Sequence, residues 1–240
     1  MRPLEDLVEV DDPAWPVLER LVREAAIRVR VLRADATRSR ASLWCLQVTA
    51  RSMLGAVVLH TGGLVVDHGW LRLYGGGSAD LKSITEVNGF PGDPAGWHTE
   101  HAMLEIGHDV LGGRWAMNYG ALPGEIGKAC YWAPDTLDWL NSQMGHHEFI
   151  AWCMSDRLER FYEALRWPEW RTATSELRLD EGLFLYPPAW SSEGQQAIRE
   201  GTARPRAVPM DEIRAANAEY ERSLQDVRGP TRAEVHITDE

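Results

Sequence analysis

Short extended segments punctuated by glycine turns constrain this chain most. Residues 61–78, Thr-Gly-Gly-Leu-Val-Val-Asp-His-Gly-Trp-Leu-Arg-Leu-Tyr-Gly-Gly-Gly-Ser, read as strand, tight turn, strand and glycine turn. Leu64–Asp67 runs extended, and Gly69 supplies the corner before a second alternation. There Leu71 and Leu73 point one way, and Trp70, Arg72 and Tyr74 the other. Further extended pieces follow at 103–106, 114–118 and 129–132, with turns at Gly107-His-Asp, Gly112-Gly113 and 120–127. Strands that follow one another this closely leave no room for crossover helices. The pattern predicts the antiparallel meander of an α+β protein, not the β-α-β alternation of a nucleotide binder.

Helical spacing frames the meander. Val17, Leu18, Leu21, Val22 and Ala25 predict a helix over 16–27 after Pro13-Ala-Trp-Pro16. A strand follows at Val29–Leu32, then helices at 36–48 and at 53–59, the second capped by Ser52. Residues 75–97, rich in Gly, Pro, Asn and Asp, read as a loop. Helices near 148–154 and 157–165 lead to a last strand at 183–186 and a helix near 210–224. We therefore expect a central antiparallel sheet with helices packed on one side. The single α+β domain spans 1–190, and a polar C-terminal extension spans 191–240.

Charge and cysteine usage exclude several roles. The 36 acidic and 25 basic residues give a net charge of −11, a field that repels phosphate backbones and suits a basic protein partner. Three scattered cysteines, Cys45, Cys130 and Cys153, form no disulfide framework and fit a cytoplasmic location. No apolar run reaches membrane-spanning length. Nucleic acid and membrane are thus not expected partners. Arg28, Arg30, Arg33, Arg38 and Arg40 make one basic island, read as a solvated face.

Catalytic patterns are incomplete. Gly75-Gly76-Gly77-Ser78 lacks the lysine and helix of a phosphate loop and reads as a turn, so no cofactor is expected. His98, His101 and His108 are the metal candidates, but their spacing is not that of a zincin. Glu105, Asp109, Asp135 and Asp138, near Trp115, Tyr131 and Trp139, supply carboxylates for an acid/base pair on a sugar. A metal-assisted or carbohydrate-active hydrolase is therefore one alternative, and a homo-oligomer is another. The leading expectation is a non-enzymatic protein-binding module. Trp, Tyr and Arg dominate interface hot spots, so Trp70, Arg72 and Tyr74, with Asp109, Trp115 and Asn118, are the expected partner-binding residues. Residues 101–170, with ten acids and five bases among many aromatics, would steer a basic partner.

Two resemblances extend this reading. Ile106-Gly-His-Asp-Val-Leu-Gly-Gly-Arg-Trp-Ala-Met-Asn118 and Tyr131-Trp-Ala-Pro-Asp-Thr-Leu-Asp-Trp139 resemble a bacterial family of unknown function, domain of unknown function 2625. So do Asp11-Asp-Pro-Ala-Trp-Pro16, Phe161-Tyr-Glu-Ala-Leu-Arg-Trp167 and Tyr186-Pro-Pro-Ala-Trp190, and the match covers most of 5–212. More loosely, the order of elements over 36–165 is similar to the SUKH superfamily of Smi1/Knr4 and Syd proteins. That resemblance implies an α+β binding module without a catalytic site, acting as a toxin-immunity or regulatory protein.

Overall fold

The computed structural model describes residues 1–90, 92 and 102–228. Its first half holds α1 (Leu4–Val8), α2 (Trp15–Arg23), β1 (Val29–Leu32), α3 (Ala36–Leu46) and α4 (Met53–His60). Then come β2 (Gly63–Val66), β3 (Leu71–Tyr74), α5 (Ile84–Val87), β4 (Met103–Asp109), β5 (Arg114–Asn118), β6 (Ala129–Ala133) and β7 (Asp138–Asn141). The remainder comprises α6 (His146–Cys153), α7 (Arg157–Phe161), α8 (Trp170–Ser175), β8 (Glu181–Tyr186), α9 (Ser192–Arg199), β9 (Arg204–Pro209) and α10 (Met210–Arg228).

The first seven strands form one sheet in the order β1-β2-β3-β4-β5-β6-β7, every neighbouring pair antiparallel. This is the meander that the glycine turns predicted. β8 and β9 make a separate antiparallel pair. Local signals start the helices where side chains satisfy the free amides of the first turn. Asp35 accepts from Thr37 N and Arg38 N at 3.0 Å each, Ser52 from Gly55 N at 2.9 Å, and Ser191 from Gly194 N at 3.0 Å. Helix α3 stops at Gln47, whose left-handed φ of 51° ends the helical run.

The two sheet faces carry different layers. One face presents Leu64, Leu73, Trp115 and Tyr131, paired by register across neighbouring strands. It meets Phe149 and Trp152 of α6, with ring centroids 4.7 and 5.4 Å from Trp115. Helix α4 contacts both α2 and α6, so these helices form the layer on that face. The opposite face carries Arg72, Tyr74, His108 and Arg114, and the C-terminal chain covers it. Arg72 Nη1 donates to Leu179 O and Glu181 O, and Arg214 of α10 donates to Tyr74 Oη. Residues 191–228 therefore fold back on the sheet, with Ile213 and Asn217 of α10 closing on Gly112.

This second layer corrects the expected exposure of β3. Trp70 and Arg72 are 0% exposed and Tyr74 is 3% exposed. The alternation itself also breaks at its first member. Asp67 and His68 take left-handed φ of 50° and 57°, and Trp70 sits at φ −60°, ψ −48°. That helical step turns Trp70 out of the β3 register, so it does not share a face with Arg72 and Tyr74. Gly69, at φ +91°, closes the turn; a Cβ there would lie 3.2 Å from Thr174 O. Strand β4 also runs further than expected, and His108-Asp109 are strand residues, not a turn.

Candidate functional site

Each residue expected to meet a partner is held inside the molecule by hydrogen bonds or ring contacts within its own chain. On the α10 side, Tyr74 Oη lies 2.6 Å from His108 Nδ1 and 3.2 Å from Glu105 Oε1. Arg214 Nη2 donates to Tyr74 Oη at 2.9 Å and to Glu105 Oε1 at 2.5 Å. Strict alternation would put Glu105 and His108 on opposite faces. A β-bulge between Glu105 and Gly107 brings both onto Tyr74. Burial, helped by Arg72 and Arg214, holds the His108 imidazole well below its ordinary pKa, so it is neutral. Burial raises the Tyr74 phenol, which stays protonated and serves as donor and acceptor.

On the helical side, Asp109 Oδ1 accepts from Leu111 N at 2.8 Å and Gly113 N at 3.0 Å. Its Oδ2 accepts from Tyr131 Oη at 2.5 Å. Burial raises the Asp109 pKa, while these hydrogen bonds pull it down. Gly113 is the residue that permits the bond, because a Cβ there would fall on Asp109 Oδ2 and Tyr131 Oη. Trp115 donates its Nε1 to Tyr162 Oη at 2.9 Å. Asn118, 1% exposed, accepts from Gly120 N and Leu122 N and donates to Leu122 O, Gly124 O and Glu125 O. It organises the 119–127 loop.

Trp70 belongs to a third cluster at the end of the sheet. Its ring lies 5.3 Å from Trp170 and 5.6 Å from Tyr162. Arg166 lies over both indoles, 4.8 Å from the Trp70 centroid and 3.9 Å from that of Trp170. Its guanidinium pairs with Asp67, both side chains being buried.

The hydrolase candidates disperse in the same way. His98 and His101 lie outside the described residues. His108 is 3% exposed with one ring nitrogen on Tyr74. Among the described residues, no three His, Cys, Asp or Glu side chains gather as a metal site. Asp109 is enclosed and fully bonded, whereas Asp138 is exposed at a strand start and bonds Trp139 N.

The open surface of interest is at the other end of the sheet. A groove of about 460 Å³ runs between α2 and β1, the terminal strand of the meander. Trp15, Leu18, Glu19 and Val22 line it from one face of α2, spaced i, i+3, i+4 and i+7. Val31 and Leu64 line it from the sheet. Val31 is 39% exposed and the neighbouring Val17 is 36% exposed. Asp11 and Asp12 precede Trp15, and all of Asp11, Asp12, Glu19 and Glu24 are exposed.

The chain was compared with known proteins. The model of a protein family of unknown function, DUF2625, matches residues 4–213. The chain belongs to this family. The putative uncharacterized protein YbfG of Escherichia coli (strain K12) is 35% identical over 205 residues, covering 83% of this chain and 91% of that protein. An uncharacterized protein of Haemophilus influenzae (strain Rd) is 30% identical over 201 residues, covering 83% of this chain and 87% of its own length. No solved structure matches. These findings support the first resemblance and say nothing of the SUKH one.

For this DUF2625 chain, sequence reasoning missed Arg214, Arg166, Trp15 and Val31 as the residues that matter. Arg214 and Arg166 carried no local signal, since each acts across about a hundred residues. The groove did leave a trace. Valines at 29 and 31 alternate with arginines at 28 and 30, so β1 presents an apolar and a basic side.

Proposed function

We propose that this DUF2625 protein works by holding a protein partner, without chemistry of its own, in the groove between α2 and β1. The groove itself carries this reading: an open apolar trough beside a strand whose outer edge has no neighbour in the sheet among the described residues. An extended segment can add to such an edge through main-chain hydrogen bonds while its side chains enter the trough. Glu19 and Arg23 both line the trough, so the preference for a basic partner rests on the net charge of −11. The acids, tyrosines and histidine that could do chemistry are spent on one another in the interior, which favours binding over catalysis. Toxin immunity or regulation, as the SUKH resemblance implies, is a special case of this reading. Cys45, Cys130 and Cys153 are buried and form no disulfide among the described residues, which suits a reducing cytoplasm.

Capture from native lysate at low and high salt tests the reading, with wild type beside Val31→Glu. Val31 is exposed, so the variant should melt within about 0.5 kcal/mol of wild type. The expected outcome is a basic protein retained at low salt, lost at high salt, and absent from the Val31→Glu capture. A partner held equally by both proteins would overturn the groove as the site. Concentration-dependent sedimentation that Val31→Glu abolishes would make the occupant a second copy of the chain.

A further inference from the structure

On the opposite face of β1 lies a cavity of about 200 Å³, lined by Arg28, Arg30, His68, Arg72, Thr174 and Leu179 among others. Three arginines thus line one small space. Arg72 is 0% exposed, and only its Nη1 is used, on Leu179 O and Glu181 O. Its Nε and Nη2 are buried with no hydrogen-bond partner. A buried donor without a partner is costly, more so when charged, so such groups in a folded protein call for an explanation. Burial lowers the Arg72 pKa to about 10, and it remains a full cation at neutral pH.

The nearby carboxylates make their hydrogen bonds to other groups. Asp180 pairs with Arg178 at 2.6 Å, and Glu181 accepts from Arg178 N at 3.0 Å. Asp67, in the turn that carries His68, is taken by Arg166. Arg28 and Arg30 are exposed and make no ion pair among the described residues. Asp109, Asp180 and Glu181 act on Arg72 through space, yet none of them hydrogen-bonds its Nε or Nη2, so the cavity is a cationic pocket with donors left open.

We propose that this pocket binds a small phosphate-type anion, held by the guanidinium groups of Arg28, Arg30 and Arg72. Planar guanidinium forks match the oxygen spacing of phosphate, and three positive charges suit a dianion better than a monocarboxylate. Val65, Leu177 and Leu179 also line the space, which leaves room for a short carbon skeleton on a phosphomonoester. This inference is independent of the groove reading, because Val31 and the arginines occupy opposite sides of the strand.

The test is calorimetric titration of the full chain at constant ionic strength with inorganic phosphate, and in a second arm with glycerol phosphate. Saturable binding of one anion per chain is expected. Arg72 also ties down residues 179 and 181, so its replacement would mix folding with binding. The deciding variant is Arg28→Ala with Arg30→Ala, both exposed. It should keep the wild-type melting temperature without phosphate and bind about tenfold more weakly or worse. Val31→Glu should bind as wild type does. Tighter binding of glycerol phosphate assigns a phosphomonoester; equal or weaker binding assigns the free anion. Absence of saturable heat with either anion up to about 10 mM, or unchanged affinity in the double variant, overturns the proposal.

Discussion

Single residues in this protein matter through what they leave behind when removed. Glu105 is nearly enclosed, and its charge is balanced by Arg214, itself only a quarter exposed. Arg214→Ala should therefore destabilise the chain by about 3 kcal/mol, since a buried carboxylate would lose its cation. Urea unfolding measures this, and Arg214→Ala combined with Glu105→Gln should recover much of the loss. Tyr131→Phe poses the same question on the helical face. It removes one of the bonds on Asp109 and should cost about 1–3 kcal/mol. Trp70→Ala is a different case, because it empties a packed cluster and removes a ring under Arg166. A loss of about 3–5 kcal/mol is expected, read as a lower melting temperature.

At the scale of elements, β3 shows how coverage changes the meaning of a pattern. Its alternation of Leu with Arg and Tyr is that of a strand with one wet face, yet both faces are closed. The residues 174–186 and α10 do the closing, so a chain ending before Met210 should uncover Tyr74 and Glu105. Such a truncation should melt at a lower temperature and bind a hydrophobic dye, whereas a freely tethered helix would leave both unchanged. Capping effects are smaller. Asp35→Ala removes the acceptor for two amides at the start of α3 and should cost about 1 kcal/mol.

For the whole molecule, His108 and His146, both depressed by burial, set a pH dependence of one sign. His108 stays neutral when folded but takes up a proton at its ordinary value of 6.5 when unfolded. The unfolded chain therefore binds more protons below that value, and stability falls as the solution is acidified. The slope attributable to His108 is about 1.4 kcal/mol per pH unit below about pH 6. Buried Asp109, with its raised pKa, acts with the opposite sign from 3.8 upward. Comparison of wild type with His108→Asn isolates the histidine, and the difference in unfolding free energy should shrink between pH 7 and pH 5 as wild type loses its advantage.

The sequence by itself determined the α+β class, the antiparallel meander and the strands from 63 to 133, because glycine turns and period-two alternation are local. The cap at Ser52 and a helix beginning near Pro16 were legible for the same reason, though that helix ends at Arg23 and not at 27. Strand β7 and the β8–β9 pair's second member were not, since Asp138–Asn141 and Arg204–Pro209 carry little apolar alternation and are held by their neighbours. Trp70, Arg72 and Tyr74 are buried where an exposed site was expected, because residue type announces a hot spot and a core equally well. Only the tertiary structure decided between them. A left-handed turn rotated Trp70, a bulge joined Glu105 to His108, and a polar helix a hundred residues away sealed the second face. Burial is a property of what packs against a residue, and that partner is encoded elsewhere in the chain.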